Sequence, residues 1–374
     1  MKKTIQVPIH NQFRAFYMFF VIFSMQAGVG ILGTPRIVFL EAGHDAWISI
    51  ILTYLYVVIL LMIMLYILRQ YDNHDILGVQ ADLFGNFISK VIGTIYLVYF
   101  SLQLLSILVT YIEVIKVFVF PKSQSLILGL MLIIPVVYTL LGGLRVTIGV
   151  VFIFIFLTYW VLILLIEPLR QIDFLNFLPI MDRGISDIMR GVVANAYTFS
   201  GFEILFFIYP FVQGKDRMTK PIILGTSGIS LLILLSTTIA IGFLSPDQLQ
   251  RRIWPLLNLY KIQTSPIIER LDYVVIAEWM MVVLPKAILL MWCISYIAIR
   301  MYNFPKKASI YVFSIIILVC IPFFNEHFVI QKLIDSTKYI AYGLVYIYPL
   351  FLLPLVVIKK RVQRKKKGKN HANR

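Results

Sequence analysis

The sequence predicts an all-α membrane protein: one bundle of ten transmembrane helices, arranged as two inverted repeats of five. Of the 374 residues, 60% are hydrophobic and 14% are charged, whereas soluble globular domains have about 25% charged residues. Several stretches run for about 18 or more residues almost without charge, which is the length that a helix needs to cross a bilayer. Two of these stretches, in corresponding places of the two halves, are interrupted at mid-membrane.

Ten apolar stretches are separated by charged and turn residues, and each is interpreted as one membrane span. The predicted spans are 13–40, 46–68, 87–120, 125–141, 146–166, 188–212, 221–244, 273–299, 308–324 and 339–358. Residues 1–358 therefore form one transmembrane bundle, and residues 359–374 form a basic tail. The segment 72–85, which mixes apolar residues with acids and amides, is expected to lie as a short amphipathic piece in the inner interface.

The charge distribution predicts the orientation. Lys and Arg number 34 against 18 Asp and Glu, for a formal net charge of +16. Nine of the cations lie in the last sixteen residues, directly after the final span. An even number of spans puts both termini on one side, and this tail makes that side the more basic, so the positive-inside rule places both termini in the cytoplasm. The tail is interpreted as a contact with anionic lipid, and no nucleic-acid partner is expected.

The first span is interrupted by glycines. Gly28, Gly30 and Gly33, followed by Pro35, lie at mid-membrane depth. Glycine and proline weaken or remove helical hydrogen bonds, so we expect an unwound segment between two half-helices. The alternative is that the glycines only allow close packing of neighbouring helices.

The sixth span is interrupted around Ser200 and Gly201 and carries an ionisable residue, Glu203. A charged group in hydrocarbon is costly unless it faces a cavity or a partner, so Glu203 is expected to face the interior. The two irregular spans begin the two halves of a five-plus-five arrangement. This pairing is typical of inverted-repeat transporters with a binding site at the membrane centre.

Three segments carry a family resemblance: Gly28-Val-Gly-Ile-Leu-Gly-Thr-Pro-Arg36, Phe199-Ser-Gly-Phe-Glu203 and Ser265-Pro-Ile-Ile-Glu-Arg-Leu-Asp272. Together they resemble the GerAB-type spore germination permeases, the B subunits of nutrient germinant receptors within the amino acid–polyamine–organocation superfamily. The resemblance covers nearly the whole chain. It implies a leucine-transporter-like fold, an amino-acid-like nutrient as the ligand, A-type and C-type receptor subunits as partners, and a location in the bacterial cell membrane or spore inner membrane.

The unwound segments are expected to form the ligand pocket. Amides freed in the first helix favour a carboxylate, and carbonyls freed in the sixth helix suit an ammonium group. The resemblance adds wall residues from the third and eighth helices. The expected ligand-binding residues are Gly28, Val29, Gly30, Ile31, Gly33, Tyr99, Gln103, Tyr197, Ser200, Gly201, Phe202, Glu203 and Met291.

Buried charges add coupling and gating candidates. Glu203 has three interpretations: an acceptor for the ligand ammonium, a protonatable coupling group, or a cap of its own half-helix. Lys286 needs a partner, Glu278 or Glu203, unless it snorkels to an interface. Since the hydroxyl pair that helps hold sodium in relatives of this fold is missing here, Lys286 is expected to replace the ion. Arg36, Glu269, Arg270 and Asp272 are expected to form an outer gate or an exposed ion-pair cluster.

The histidines and the two cysteines show no metal-ligand or nucleophile spacing, so neither an enzyme nor a metal site nor a cofactor is expected. The leading hypothesis is the B subunit of a germinant receptor that binds a small nutrient and signals germination. The main alternative is a proton-coupled amino acid permease, and a ligand-opened conduit for ions or water is a third. The first two use the same pocket and differ in whether the ligand crosses the membrane.

Overall fold

The computed structural model describes residues 7–181, 184–261 and 270–372 and is predominantly helical. Within these ranges, seven helical stretches are long and apolar enough to cross a membrane. Three further apolar helices are shorter; two of them belong to the interrupted first and sixth spans. The predicted all-α membrane fold is confirmed.

The first half of the chain contains the broken first helix, the long central helix α5 and the short helix α4, most of which is buried. Its helices are α1 (Met18–Gln26), α2 (Gly30–Ala42), α3 (Ala46–Arg69), α4 (Ile76–Phe84), α5 (Asn86–Phe118), α6 (Ser125–Leu141), α7 (Leu144–Thr158) and α8 (Ile166–Arg170). A 3₁₀ stretch, Tyr159–Leu165, joins α7 to α8. Helix α4 lies within the segment that was predicted to be amphipathic.

The second half repeats the pattern, with a broken helix followed by long ones. Its helices are α9 (Ile185–Ala196), α10 (Leu205–Ile208), α11 (Thr219–Phe243), α12 (Pro246–Arg251), α13 (Pro255–Lys261), α14 (Leu271–Tyr302), α15 (Lys306–Cys320), α16 (His327–Ala341) and α17 (Tyr348–Ala372). A π-helical stretch, Tyr342–Ile347, joins α16 to α17. The last predicted span, 339–358, lies within a longer helical stretch that begins at His327. Its first part, α16, carries polar residues and was not predicted as a helix.

Helices α5 and α14 form the centre of the bundle and pack along each other. Helix α14 is buried over most of its surface, from Val275 to Met301, as expected for a helix that is hydrophobic on all sides. The side chains of Tyr96, Tyr99 and Phe100 on α5 are fully buried. The peripheral helices instead expose Leu, Ile and Phe side chains, which is the pattern expected where lipid rather than water surrounds the protein.

Both ends of the described chain lie on one face of the bundle. Strand β1 (Phe13–Arg14) pairs in parallel with β2 (Val212–Gln213), which follows α10. Helix α10 packs against α4, and Lys359 near the C-terminus forms an ion pair of 3.1 Å with Asp82 of α4. We call this face the terminal face and the opposite one the distal face.

Candidate functional site

The two helix breaks lie side by side, which confirms the prediction that the first and sixth helices are unwound. Helix α1 ends at Gln26, Ala27 is extended with φ −72° and ψ 141°, and α2 begins at Gly30. The Gln26 side-chain amide donates a hydrogen bond of 3.0 Å to the Phe199 carbonyl in the second break. The unwound part is shorter than expected, because Gly30 and Gly33 already belong to α2.

Gly201 makes the close approach of the two breaks possible. Its backbone has φ +124° and ψ −24°, a conformation that side chains other than hydrogen strongly disfavour. A Cβ atom at this position would lie 2.1 Å from the carbonyl oxygen of Met25 in α1. The sixth helix therefore bends around the backbone of the first.

A cavity of about 390 Å³ extends from the two breaks toward the distal face. Ten of the predicted site residues line it: Gly28, Val29, Gly30, Ile31, Gly33, Arg36, Gln103, Tyr197, Ser200 and Lys286. Other lining residues were not predicted, among them Gln26, Ser106, Thr198, Trp254, His327, Gln331, Asp335 and Lys338. Four of these lie on α16 at helical spacing, so the sequence 327–338 carries a polar stripe as a signal, although the fold is needed to show that the stripe faces the cavity.

The remaining predicted pocket residues on the sixth helix lie behind the cavity wall. Glu203 is fully buried, and its two carboxylate oxygens accept hydrogen bonds from the Tyr99 hydroxyl at 2.8 Å and from the Gly201 amide at 2.7 Å. This geometry matches the capping interpretation of Glu203 rather than contact with a ligand. Phe202 packs against the ring of Tyr346, with 5.7 Å between centroids.

Three expected wall residues, Tyr99, Gly201 and Met291, are also absent from the cavity lining. Met291 is fully buried in the core. Met291 was expected in the cavity wall because it lies on the eighth helix. On α14, however, its side chain points into the packing between helices. The cavity wall on α14 is formed by Lys286 instead.

The cavity wall offers hydrogen-bonding groups that have no partner among the described residues. In the described part of the chain, the amides of Gly28, Val29 and Gly30 donate to no acceptor. The side-chain oxygens of Gln26 and Gln103 are buried and accept no hydrogen bond there. Unpaired buried polar groups are costly, so the wall is suited to a ligand that has both an acceptor and a donor end.

Gln103 is fixed by its other end. Its side-chain nitrogen donates a hydrogen bond of 3.1 Å to the Ser200 hydroxyl, which in turn donates to the Tyr197 carbonyl at 2.6 Å. This chain of hydrogen bonds ties α5 to the break in the sixth helix. It also leaves the Gln103 side-chain oxygen without a hydrogen-bond donor among the described residues.

Lys286 faces the break in the first helix. Its Nζ atom lies 3.5 Å from the position that a Cβ on Gly28 would occupy, and the side chain is 7% exposed. Among the described residues, no carboxylate lies within 4.0 Å of this ammonium group. Glu203 is near enough to interact with it electrostatically, whereas Glu278 lies beside Trp160. Lys286 therefore neither pairs directly with Glu278 nor snorkels to an interface.

The expected outer-gate residues are found in two separate places. Arg36 donates from Nε to the Gln250 carbonyl at 2.7 Å, which links α2 to α12. Arg270 donates two hydrogen bonds to the Asp272 carboxylate, of 3.0 and 2.8 Å, and so forms a bidentate ion pair. Glu269 lies outside the described residues. The Arg270–Asp272 pair corresponds to the ion-pair alternative, while Arg36 contributes to the cavity wall.

Comparisons with known proteins agree with this architecture. A family model described as spore germination protein, Spore_permease, matches residues 12–329. The spore germination protein GerQB of Bacillus cereus is 30% identical over 358 residues, covering 95% of this chain and 99% of GerQB. The spore germination protein YndE of Bacillus subtilis is 26% identical over 355 residues, covering 92% and 96% of the two chains.

Solved structures share the fold at low sequence identity. An outward-open Na⁺-coupled sialic acid symporter matches with a TM-score of 0.66 and 12% identity, over 90% of this chain and 80% of that chain. MhsT in complex with L-phenylalanine matches with a TM-score of 0.58 and 14% identity, over 91% and 87%. These likenesses confirm the predicted leucine-transporter-like fold, and the family match over most of the sequence shows that the chain belongs to the spore germination permease family.

Proposed function

We propose that this chain is the B subunit of a nutrient-germinant receptor, which binds a small nutrient in the central cavity and signals germination. One observation carries the proposal: unpaired donors and acceptors meet in a cavity at the two helix breaks of a spore germination family member. Binding and signalling require no covalent chemistry, so the proposed function is not enzymatic and needs no cofactor.

The donors and acceptors fit an amino acid. Its carboxylate would bind the free amides of Gly28 and Gly30 together with the Lys286 ammonium group, since charge-assisted hydrogen bonds are the stronger ones. Its ammonium group would bind the side-chain oxygens of Gln26 and Gln103. In this arrangement Glu203 supports the pocket from behind without touching the ligand.

The proposed receptor contains A-type and C-type subunits and lies in the bacterial cell membrane or spore inner membrane. The terminal face would point toward the cytoplasm, or the spore core, because α17 reaches this face at Lys359, where the basic tail begins. The cavity would then open to the outside, where nutrients arrive. Membership in the spore germination permease family supports the proposal of a receptor complex.

A proton-coupled amino acid permease is the second candidate, and the placement of Lys286 favours it. A buried ammonium group beside the Gly28 break could occupy the place that a coupling cation takes in transporters of this fold. Its protonation would then change during a transport cycle. A receptor can use the same group simply to bind the ligand.

Gene deletion and reconstitution separate the two candidates. Under the receptor proposal, deletion abolishes nutrient germination and leaves nutrient uptake unchanged, and the purified chain in proteoliposomes shows only background uptake. Lys286→Met then alters germination without changing that background. Accumulation of amino acid driven by an imposed proton gradient, lost in Lys286→Met, would favour the permease instead. Sodium dependence of the uptake would contradict the role given to Lys286.

A further inference from the structure

A groove lies on the terminal face between the start of α1 and the start of α11, remote from the central cavity. It has a volume of about 850 Å³. Arg14 of β1 and Arg217 and Lys220 near the start of α11 form its polar part. The parallel pairing of Arg14 with Gln213 holds the two chain segments together, so the groove is built from residues about 200 positions apart in sequence.

The three cations of this groove form no ion pair with any acidic residue in the described ranges. Arg14, Arg217 and Lys220 are exposed, and none of them forms an ion pair or a side-chain hydrogen bond with another described residue. No described acidic residue lines the groove. Three like charges at one concave site repel one another, and a bound anion relieves that repulsion.

The rest of the groove is apolar. Phe16, Phe19 and Leu224 line it, and Phe16 and Leu224 are exposed over 59% and 48% of their surfaces. Helices α1 and α11 begin at this level, which places the cations at headgroup depth and the apolar side chains at the outermost acyl region. A phosphate bound by the cations and an acyl chain on the apolar side chains would match both halves of the groove.

We propose that the groove, defined by Arg14, Phe16, Phe19, Arg217, Lys220 and Leu224, is a binding site for one anionic phospholipid. The phosphate would contact the three cations, and an acyl chain would lie along Phe16, Phe19 and Leu224. A lipid with a net neutral headgroup lacks the excess negative charge that these cations attract. The site shares no lining residue with the nutrient cavity.

Native mass spectrometry of the purified full-length chain tests the site, with dioctanoyl phosphatidylglycerol and dioctanoyl phosphatidylcholine as probes. The test variant Arg217→Gln/Lys220→Gln removes two cations from the groove. The matched control Lys306→Gln/Lys307→Gln removes two exposed cations at the start of α15, outside the groove. Arg14→Gln, on a different element, repeats the test independently of α11.

We expect the wild type and the control to bind phosphatidylglycerol in preference to phosphatidylcholine. Because each basic residue near anionic lipid contributes about 1 kcal/mol, affinity should fall about fivefold in Arg14→Gln and about thirtyfold in the groove double variant. Equal losses in groove and control variants would show a diffuse surface charge and overturn the proposal. Displacement of the lipid by millimolar inorganic phosphate alone would show an anion site without lipid specificity, and would also overturn it. A wild type that binds no phosphatidylglycerol would refute the lipid site and leave the groove to an acidic segment of a partner subunit.

Discussion

Gly201 is more closely surrounded by backbone atoms than Gly28 and Gly30 of the first helix are. Its positive φ and the approach of the Met25 carbonyl leave no space for any side chain. At Gly30, by contrast, the atoms nearest to an added Cβ belong to Thr198 and lie at 3.9 Å, which is an ordinary contact. Among Gly28, Gly30 and Gly201, an added Cβ would clash with backbone only at Gly201.

A substitution pair tests this difference. Gly201→Ala should lower the free energy of unfolding. The strained backbone conformation alone costs about 1–3 kcal/mol, and the clash with the Met25 carbonyl adds to this cost. Gly30→Ala should leave stability nearly unchanged or raise it slightly, because alanine favours the helix. Thermal unfolding of the purified variants in detergent measures both. Equal stability of the two variants would contradict the tight turn at Gly201.

The hydrogen bonds of Glu203 give a second prediction at this scale. Tyr99→Phe leaves one buried carboxylate oxygen without its donor, so stability should fall by about 1–3 kcal/mol. Amino acid affinity should change little, because neither side chain lines the cavity. Tyr54→Phe, which removes a partly buried hydrogen bond to Ser227, is the control for loss of a hydroxyl. A large loss of affinity without loss of stability would show that Glu203 contacts the ligand.

At the scale of elements, apolar run length and interruptions predicted most of the helices, because lipid requires long apolar segments with satisfied backbones. Apolar run length did not predict α16 (His327–Ala341). This helix carries polar residues toward the cavity, and its apolar run is therefore broken. The spacing of Gln331, Asp335 and Lys338 is visible in the sequence, but only the fold shows which face of the helix turns inward.

The candidate site, like the helices, could be predicted from the sequence in part. Breaks at Gly28 and Gly201 follow from backbone chemistry, and both are present. The direction of individual side chains on long helices does not follow from such patterns, because neighbouring helices determine it. Met291 and Lys286 lie on the same helix, yet only Lys286 reaches the cavity.

On the terminal side, the start of α4 is linked to α14 by hydrogen bonds. Asp75 accepts a hydrogen bond of 2.6 Å from the Tyr296 hydroxyl and one of 3.3 Å from Arg300. The ring of Tyr296 stacks on Trp292 with 5.2 Å between centroids, and Phe211 packs edge-on against both rings. These contacts tie the terminal end of α14 to the start of α4 and to the segment that follows α10.

Loss of this link should loosen the terminal side. Asp75→Asn removes the charge that Arg300 faces, so we expect solvent to reach α14 more easily from the terminal face, with about 1–3 kcal/mol less stability. Labelling of the natural Cys293, which is fully buried, by a small thiol reagent should be several times faster than in the wild type. Thr94→Ala, which removes an exposed hydrogen bond to Tyr302, is the control. Unchanged labelling in Asp75→Asn would show that the aromatic cluster alone closes this side.

For the whole molecule, a linked terminal half and a cavity that extends from the breaks toward the distal face describe one conformational state. A ligand can shift such a state only by binding it more tightly than the alternative. In the proposed receptor, the nutrient would bind between the two broken helices and bias their relative position. The groove on the terminal face lies at the start of α1, whereas the break of the first helix lies at the end of α1.

Nutrient binding by the purified chain is the most direct test of this account. The twenty L-amino acids are titrated against the wild type, Lys286→Met and Gln103→Leu in nanodiscs by calorimetry. Lys332→Met, an exposed cation on α16 outside the cavity, serves as the control. We expect at least one amino acid to bind the wild type and the control. Its affinity should be weaker by about tenfold or more in Lys286→Met, since a hydrogen bond to a charged group contributes about 1.5–3 kcal/mol. Binding of none of the amino acids, or equal affinity in the wild type and Lys286→Met, would contradict the assignment of the cavity as the amino acid site.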